Sequence, residues 1–291
     1  MASVALFPIA FPAEGPAAVH RPEARDRNRS FGALFGACLL ACLAWAVLLV
    51  GRSEGHFQVL LPHREVIEAG HGRTVELEIL FTHPMEQGPV MEMGVPRRFG
   101  FLAGGKVHEL SDALRPRKLE GKTAYTASVR LSRPGDHVFF LEPAPYWEPT
   151  ERKMIVHYTK VVVDFMGAQK GWDAMIGFPI EIEPLVRPYG LWTGNVFRGI
   201  VRRHGKPLPM AGVEVEYYNE GRRVKIPNGA FVTQSIKADA GGAFSYAMPR
   251  AGWWGFAALV DSDQKIKGPD GQEVDVELGG VIWVKTTDMK P

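Results

Sequence analysis

From Thr74 to Phe81 the chain alternates with a period of two, Val75, Leu77, Ile79 and Phe81 on one face and Thr74, Glu76 and Glu78 on the other. Successive side chains of a pleated strand point to opposite sides, so this spacing predicts a strand with one buried face. Strand-length apolar runs bounded by turn residues recur at 56–61, 98–102, 125–131, 137–141, 154–165 and 180–185. A break at Arg187-Pro188-Tyr189-Gly190 precedes a second set at 195–201, 213–218, 231–237, 243–247, 255–260 and 280–285. Arg203-His204-Gly205-Lys206-Pro207 and Ala240-Gly241-Gly242 supply turn chemistry where neighbouring strands would reverse. No long amphipathic helix and no solenoid or propeller repeat interrupts the pattern.

One stretch breaks the rule. From Phe31 to Val50 every residue is apolar or small, and at helical rise such a run spans roughly 30 Å, the thickness of a hydrocarbon core. Arg21, Arg25, Arg27 and Arg29 precede it and only Arg52 closely follows, so the positive-inside rule keeps residues 1–30, a proline-punctuated disordered tail, in the cytoplasm and exports the rest. The segment is either a retained anchor or a signal peptide cut after Ser53-Glu54-Gly55. Leu39-Leu40-Ala41-Cys42 also resembles a lipoprotein box, although cutting there would leave Leu43 to Val50 as an apolar stretch. Gly32 and Gly36 form a GxxxG pair that permits close helix packing in a membrane, in a segment where composition alone gives the same pattern.

The expected fold class is therefore all-β: a single N-terminal transmembrane or signal helix (31–50) followed by two β-sandwich-like domains, 56–187 and 190–291. The 291 residues accommodate two domains of ordinary size, and 32 Gly and 22 Pro favour short strands and turns over long helices. The expected location is a bacterial inner membrane, single pass with the bulk in the periplasm, or the periplasm itself after cleavage near Gly55. A net charge of +2 from 34 basic and 32 acidic residues leaves no field for binding nucleic acid without sequence preference. Both cysteines, Cys38 and Cys42, lie inside the apolar segment, so any metal held outside must use imidazole, carboxylate, thioether or backbone groups.

Seven of the nine histidines, His56, His63, His71, His83, His108, His137 and His157, fall between the apolar segment and the break. No HExxH, paired CxxC or calcium-loop spacing accompanies them, and ordinary hydrogen-bonded histidines would give the same count. The densest chemistry is Phe81-Thr82-His83-Pro84-Met85-Glu86-Gln87-Gly88-Pro89-Val90-Met91-Glu92-Met93, where prolines and glycine stiffen a loop after a well-patterned strand. Met85, Met91 and Met93 suit loop packing better than soft-metal ligation; His83 and Glu86 suit a borderline divalent ion. In Glu142-Pro143-Ala144-Pro145-Tyr146-Trp147-Glu148-Pro149 the prolines hold aromatic and acidic side chains on a connection, as a packed corner. His157 follows on a strand and points inward, where an imidazole needs a metal or a hydrogen bond. No nucleophile elbow, exported cysteine or carboxylate pair signals catalysis, and no enzymatic activity is expected.

The phrases HFQVLLP, FTHPMEQGPVMEM, RPGDHVFFLEPAPYWEP, IVHYTKVVV, GNVFRGIV, VEVEYYN and MPRAGWWGFAAL, spread from about His56 to Leu259, together resemble NikK-type accessory subunits of energy-coupling-factor transporters for nickel or cobalt. The resemblance implies an exported, single-span or signal-bearing subunit that helps a membrane permease take up Ni²⁺ or Co²⁺. The second domain is similar to transthyretin-like sandwiches, which implies a spacer or docking role by fold analogy. The resemblance brings no ligand set with it. From chemistry, His56, His83, Glu86 and His157 are the candidate metal ligands, since nickel and cobalt suit imidazole nitrogen completed by carboxylate oxygen.

Two other readings stay open. Cleavage after Gly55 would give His56 a free amine beside its imidazole, the two-nitrogen chelator of an oxidative copper enzyme acting on polysaccharides. Alternatively, exposed Tyr146, Trp147, Trp253 and Trp254 would make a carbohydrate-binding or adhesion module.

Overall fold

The computed structural model describes residues 55–291. The tail 1–30, the apolar segment 31–50 and the Ser53-Glu54 part of the cleavage motif lie outside the described residues. Within them the chain is all-β, with only single-turn 3₁₀ segments besides strands. No helix among them is long and apolar enough to cross a membrane.

Every run predicted above from alternation becomes a strand, shifted by a few residues at the ends. Strands Phe57–Pro62, Thr74–Thr82, Lys122–Arg130 and Leu114–Leu119 form, in that order, an antiparallel sheet whose fifth member is the short pair Val90–Met91. The Leu114–Leu119 strand, which contains Pro116, is not among the runs predicted above. It occupies the sheet edge, pairing only with 122–130, where a missing N–H is tolerated.

The second sheet is long and eleven-stranded. Its backbone runs 234–237, 212–217, 252–261, 276–287, 153–165, 135–142, 98–103 and 106–109. At its centre Lys153–Phe165 pairs in parallel with Val276–Thr287, from Met154↔Val276 to Val161↔Trp283. The two sequence halves are thus joined by main-chain hydrogen bonds. Strand Ile180–Pro184, grouped above with the first set, pairs with Val196–Arg203 in a third, four-stranded sheet.

These sheets stack as three offset layers because the long sheet is apolar on both faces along its middle. Val281 and Trp283 enter one core with Phe57, Val59, Leu77, Ile79, Phe139 and Val163. The alternate residues Ile282 and Val284 enter a second core with Ile182, Phe197, Phe244 and Phe256. Turn chemistry does what its residues require: His204 and Gly205, both at positive φ, close the 203–206 hairpin as a two-residue turn.

Candidate functional site

The pairing of the first two strands sets the site. Phe57 stands opposite Thr82 and Pro62 opposite Leu77, so one residue beyond the ladder His56 stands opposite His83. Cross-strand neighbours bring their Cβ atoms within about 5 Å, and the two imidazole rings lie 4.7 Å apart centre to centre. His83 is buried, and its Nδ1 lies 3.1 Å from the Gly55 carbonyl. A carbonyl only accepts, so Nδ1 carries a proton and donates it to Gly55.

Glu148 completes the cluster from a different part of the chain. Strand Tyr146–Glu148 folds back on 153–155, carrying the carboxylate to His56, with Oε2 3.0 Å from Nε2. Its other oxygen accepts the Thr150 amide at 2.9 Å, which fixes the carboxylate plane. Burial, and then the nearby His83, push the His56 pKa down, against the opposing pull of Glu148. The ring is therefore neutral at pH 7 and able to donate a lone pair.

His157 lies deeper. Its ring meets Phe81 edge-on at 5.7 Å, and Phe81 stacks on His56 at 5.8 Å. It is 1% exposed, and neither ring nitrogen makes a hydrogen bond. Glu277 Oε1 approaches Nε2 at 3.6 Å, too long for a hydrogen bond. Room for the ring comes from its ladder partner Gly279, where a Cβ would sit 2.3 Å from His157 Cδ2. Beside it is a small cavity, lined by Gln58, Met93 and Tyr146 among others, with about 10 Å³ open to the centre of a water-sized sphere, roughly enough for one water.

Carboxylates, Glu216 buried and Glu214 and Glu277 half-buried, surround this polar seam. Glu214 and Glu216 project from the face of strand Gly212–Tyr217 opposite its apolar Val213 and Val215. Glu216 Oε2 accepts the Met85 amide at 3.1 Å. A Cβ on Gly55 would stand 2.6 Å from Glu216 Oε1 and 3.1 Å from Glu214 Oε2. Burial pushes Glu216 up to about 8, against the hydrogen bonds from Thr233 and Met85. Burial and the Glu277 charge push Glu214 up to about 7. Burial would raise Glu277 too, but His157 and Lys153 outweigh it and hold it at about 2.

Of the four residues expected to bind metal, the structure brings His56 and His83 together and places His157 behind Phe81 in the same cluster. Glu86 does not join them: it is half-buried in the loop after His83, where its charge acts on Glu216. Among the described residues no group of three or more His, Asp or Glu side chains is gathered tightly enough to enclose an ion as it stands. Met85, Met91 and Met93 are buried packing residues. Sequence reasoning missed Glu148, which it placed in a packed corner, and Glu214, Glu216 and Glu277, whose alternation with apolar residues mimics a solvent face. His63, His71 and His108 are exposed, and His137 is buried with its Nδ1 3.0 Å from the Gly135 carbonyl. Trp254 is buried against Tyr217 and Tyr246, Trp253 is half-buried under Lys285, and Tyr146 packs on Phe81. These rings form no shared exposed platform.

No curated protein matches the chain in sequence. Among solved structures, the D0-D1 domain of intimin aligns over 80% of this chain and 100% of its own at 14% identity, with a TM-score of 0.24. A bacterial ice-binding adhesin aligns over 81% of this chain and 65% of its own at 8% identity, TM-score 0.23. The Yersinia pseudotuberculosis adhesin InvE aligns over 79% and 61% at 10% identity, TM-score 0.21. Overlap this slight carries no argument about fold or function. In sequence, the family described as Domain of unknown function (DUF4198) matches residues 53–262, and the chain belongs to that family.

Proposed function

We propose that this chain is an exported accessory protein that binds a divalent transition metal, nickel or cobalt, and passes it to a membrane permease, as its resemblance to NikK-type subunits implies. The observation that carries the reading is the His56–His83 pair, two imidazoles facing each other across a strand end with His83 Nδ1 held by the Gly55 carbonyl. Glu148 takes Nε2 of His56, a carboxylate–histidine arrangement that orients an imidazole and strengthens the donor at its other nitrogen. A cation would be held between the two imidazoles, with solvent or a partner's groups completing its shell. His157 supplies a third imidazole behind them.

Position supports the transport role. His56 follows Val50 by six residues, a reach of at most about 20 Å, so a retained apolar segment would hold the pair close to the membrane surface. The copper-enzyme reading is less well supported, because it requires scission after Gly55, whose buried carbonyl holds His83.

The test is calorimetric titration of the full-length chain in detergent with Ni²⁺ and with Co²⁺, repeated for His56→Ala and His83→Ala. Binding of either ion, weakened at least tenfold by each substitution, is the expected result. No binding to either, or binding indifferent to both substitutions, rules out capture at this site.

A further inference from the structure

Far from the histidines, two aspartates face each other inside the long sheet. Asp136 and Asp164 are ladder partners in the antiparallel pairing of 135–142 with 153–165, and they are 1% and 2% exposed. Asp136 Oδ1 accepts the Tyr189 hydroxyl at 2.7 Å, while Oδ2 is buried without a partner. Asp164 accepts the amides of Gly167 at 3.2 Å and Gln169 at 3.4 Å.

These acids hold one end of a segment, 166–178, that crosses the sheet as a strap. Trp172, Ala174 and Ile176 of the strap cover Leu102, Val138, Val162 and Tyr189. The other end is held by Glu181, whose carboxylate accepts the amides of Ile176, Gly177 and Phe178. The two anchors differ in one respect. Glu181 has a buried counter-charge, Lys160 Nζ at 2.7 Å, whereas among the described residues no cation comes within ion-pair distance of Asp136 or Asp164.

Every charged neighbour of the pair is accounted for. Arg187 spans the Tyr189 ring at 4.9 Å and spends its guanidinium on Gln169 Oε1 and the Tyr189 carbonyl. Lys170 and Asp173 on the strap are exposed. His137 gives Nδ1 to Gly135, and its charge would act on Asp164 only at a distance. Glu65, beside Asp164 through its carbonyl, pairs with Lys285. With two carboxyls facing each other across the ladder, out of water and without a cation, a charge on Asp136 is disfavoured.

We infer that Asp136, unpartnered at Oδ2 and facing Asp164 across the ladder, holds a proton that keeps the strap shut, so that the strap lifts from the sheet as the medium turns alkaline. Relief of a negative charge on Asp136 requires water at Oδ2; with the strap closed and tied to Asp136, whose amide donates to the Lys170 carbonyl at 3.4 Å, the residue is only 1% exposed. Burial first, and the Asp164 carboxyl after the opposing Tyr189 bond, raise the Asp136 pKa. A raised acid binds its proton more tightly folded than open, so the closed strap is favoured in acid and loses that advantage as pH climbs through the folded value. The lifted strap would uncover the Leu102–Val138–Val162 patch and the Trp172 ring.

The experiment is amide hydrogen exchange on the full-length chain at pH 5, 6, 7 and 8, corrected for intrinsic rates, for wild type and Asp136→Asn. Wild-type protection at 166–178 should fall by about tenfold per pH unit once Asp136 begins to lose its proton, one proton being linked to opening. The side chain that Asp136→Asn introduces is neutral at every pH, as protonated Asp136 is, so the variant should keep its protection across the range. Wild-type protection that is constant from pH 5 to 8 overturns the inference. So does protection restored at pH 8 by added Ca²⁺, because the pair would then be a cation site.

Discussion

Substituting Gly279 tests the placement of His157 without touching a polar group. An alanine there puts its Cβ 2.3 Å from His157 Cδ2 and 2.7 Å from Nε2, against an ordinary contact of about 3.5 Å. The ring must retreat by about 1.2 Å, and with 1% exposure it has only the small cavity beside Met93 and Tyr146 to enter. Overpacking of this kind costs about 1–3 kcal/mol, and the stiffer unfolded chain returns about 0.4–1 kcal/mol. A net loss of about 1–2 kcal/mol lowers Tm by roughly 2–8 °C for a domain of this size. The assay is thermal unfolding of the full-length chain in detergent, run as a double-mutant cycle. In a His157→Ala background the obstructing ring is gone, so Gly279→Ala should become neutral or stabilising, a coupling of at least about 1 kcal/mol. Equal destabilisation in both backgrounds would show that the ring is not where the register puts it.

Three further outcomes follow from the buried charges. Glu216 binds its proton up to about pH 8 when folded but only to about 4.3 unfolded; stability should therefore fall as pH rises between those values, by up to about 1.4 kcal/mol per unit. Urea midpoints at pH 5, 7 and 9 read this slope, which Glu216→Gln should reduce, leaving the smaller part due to Glu214; an unchanged slope refutes the assignment. Lys160→Ala strands Glu181, 3% exposed, without its cation, and should cost about 3–5 kcal/mol, toward the lower end because three amides still bind the carboxylate; chemical denaturation measures it. Glu148→Gln should weaken nickel binding about 10–100-fold by freeing the His56 ring, and unaltered affinity in the same calorimetric titration would remove Glu148 from the site.

Much of this was legible in the chain because alternation is a local signal. Val75, Leu77, Ile79 and Phe81 announce their strand, and an apolar run marks another at 56–61; once those strands pair, His56 and His83 are neighbours by register. The carboxylates were hidden by the same rule. Glu214 and Glu216 alternate with Val213 and Val215, the mark of a strand with one wet face, but that face is covered by Gly55, Met85 and Thr233. Nothing local encodes a cover of which two parts, Gly55 and Met85, arrive from more than a hundred residues away. Nor does the break at 187–190 reveal that 276–287 returns to pair in parallel with 153–165, since parallel pairing between distant strands leaves no turn signature.

Gly55 shows how one residue reads differently at the two levels. In the sequence it is a small residue in a candidate cleavage motif; in the fold its smallness has a second cause. A methyl group there would stand 2.6 Å from Glu216 Oε1 and 2.8 Å from Thr233 Oγ1, so Gly55→Ala must displace the chain, the carboxylate or both. Displacing the chain moves the carbonyl that fixes His83, and displacing Glu216 moves the acceptor of the Met85 amide, two residues past His83. Either way one support of the imidazole is loosened while every candidate ligand remains present. Since misplacing a supporting group costs a metal site about 10–100-fold, Gly55→Ala should weaken nickel binding by that order with an ordinary fold by circular dichroism. If affinity is instead preserved, His83 does not need Gly55 to hold its ring, and the glycine is small for the cleavage motif alone.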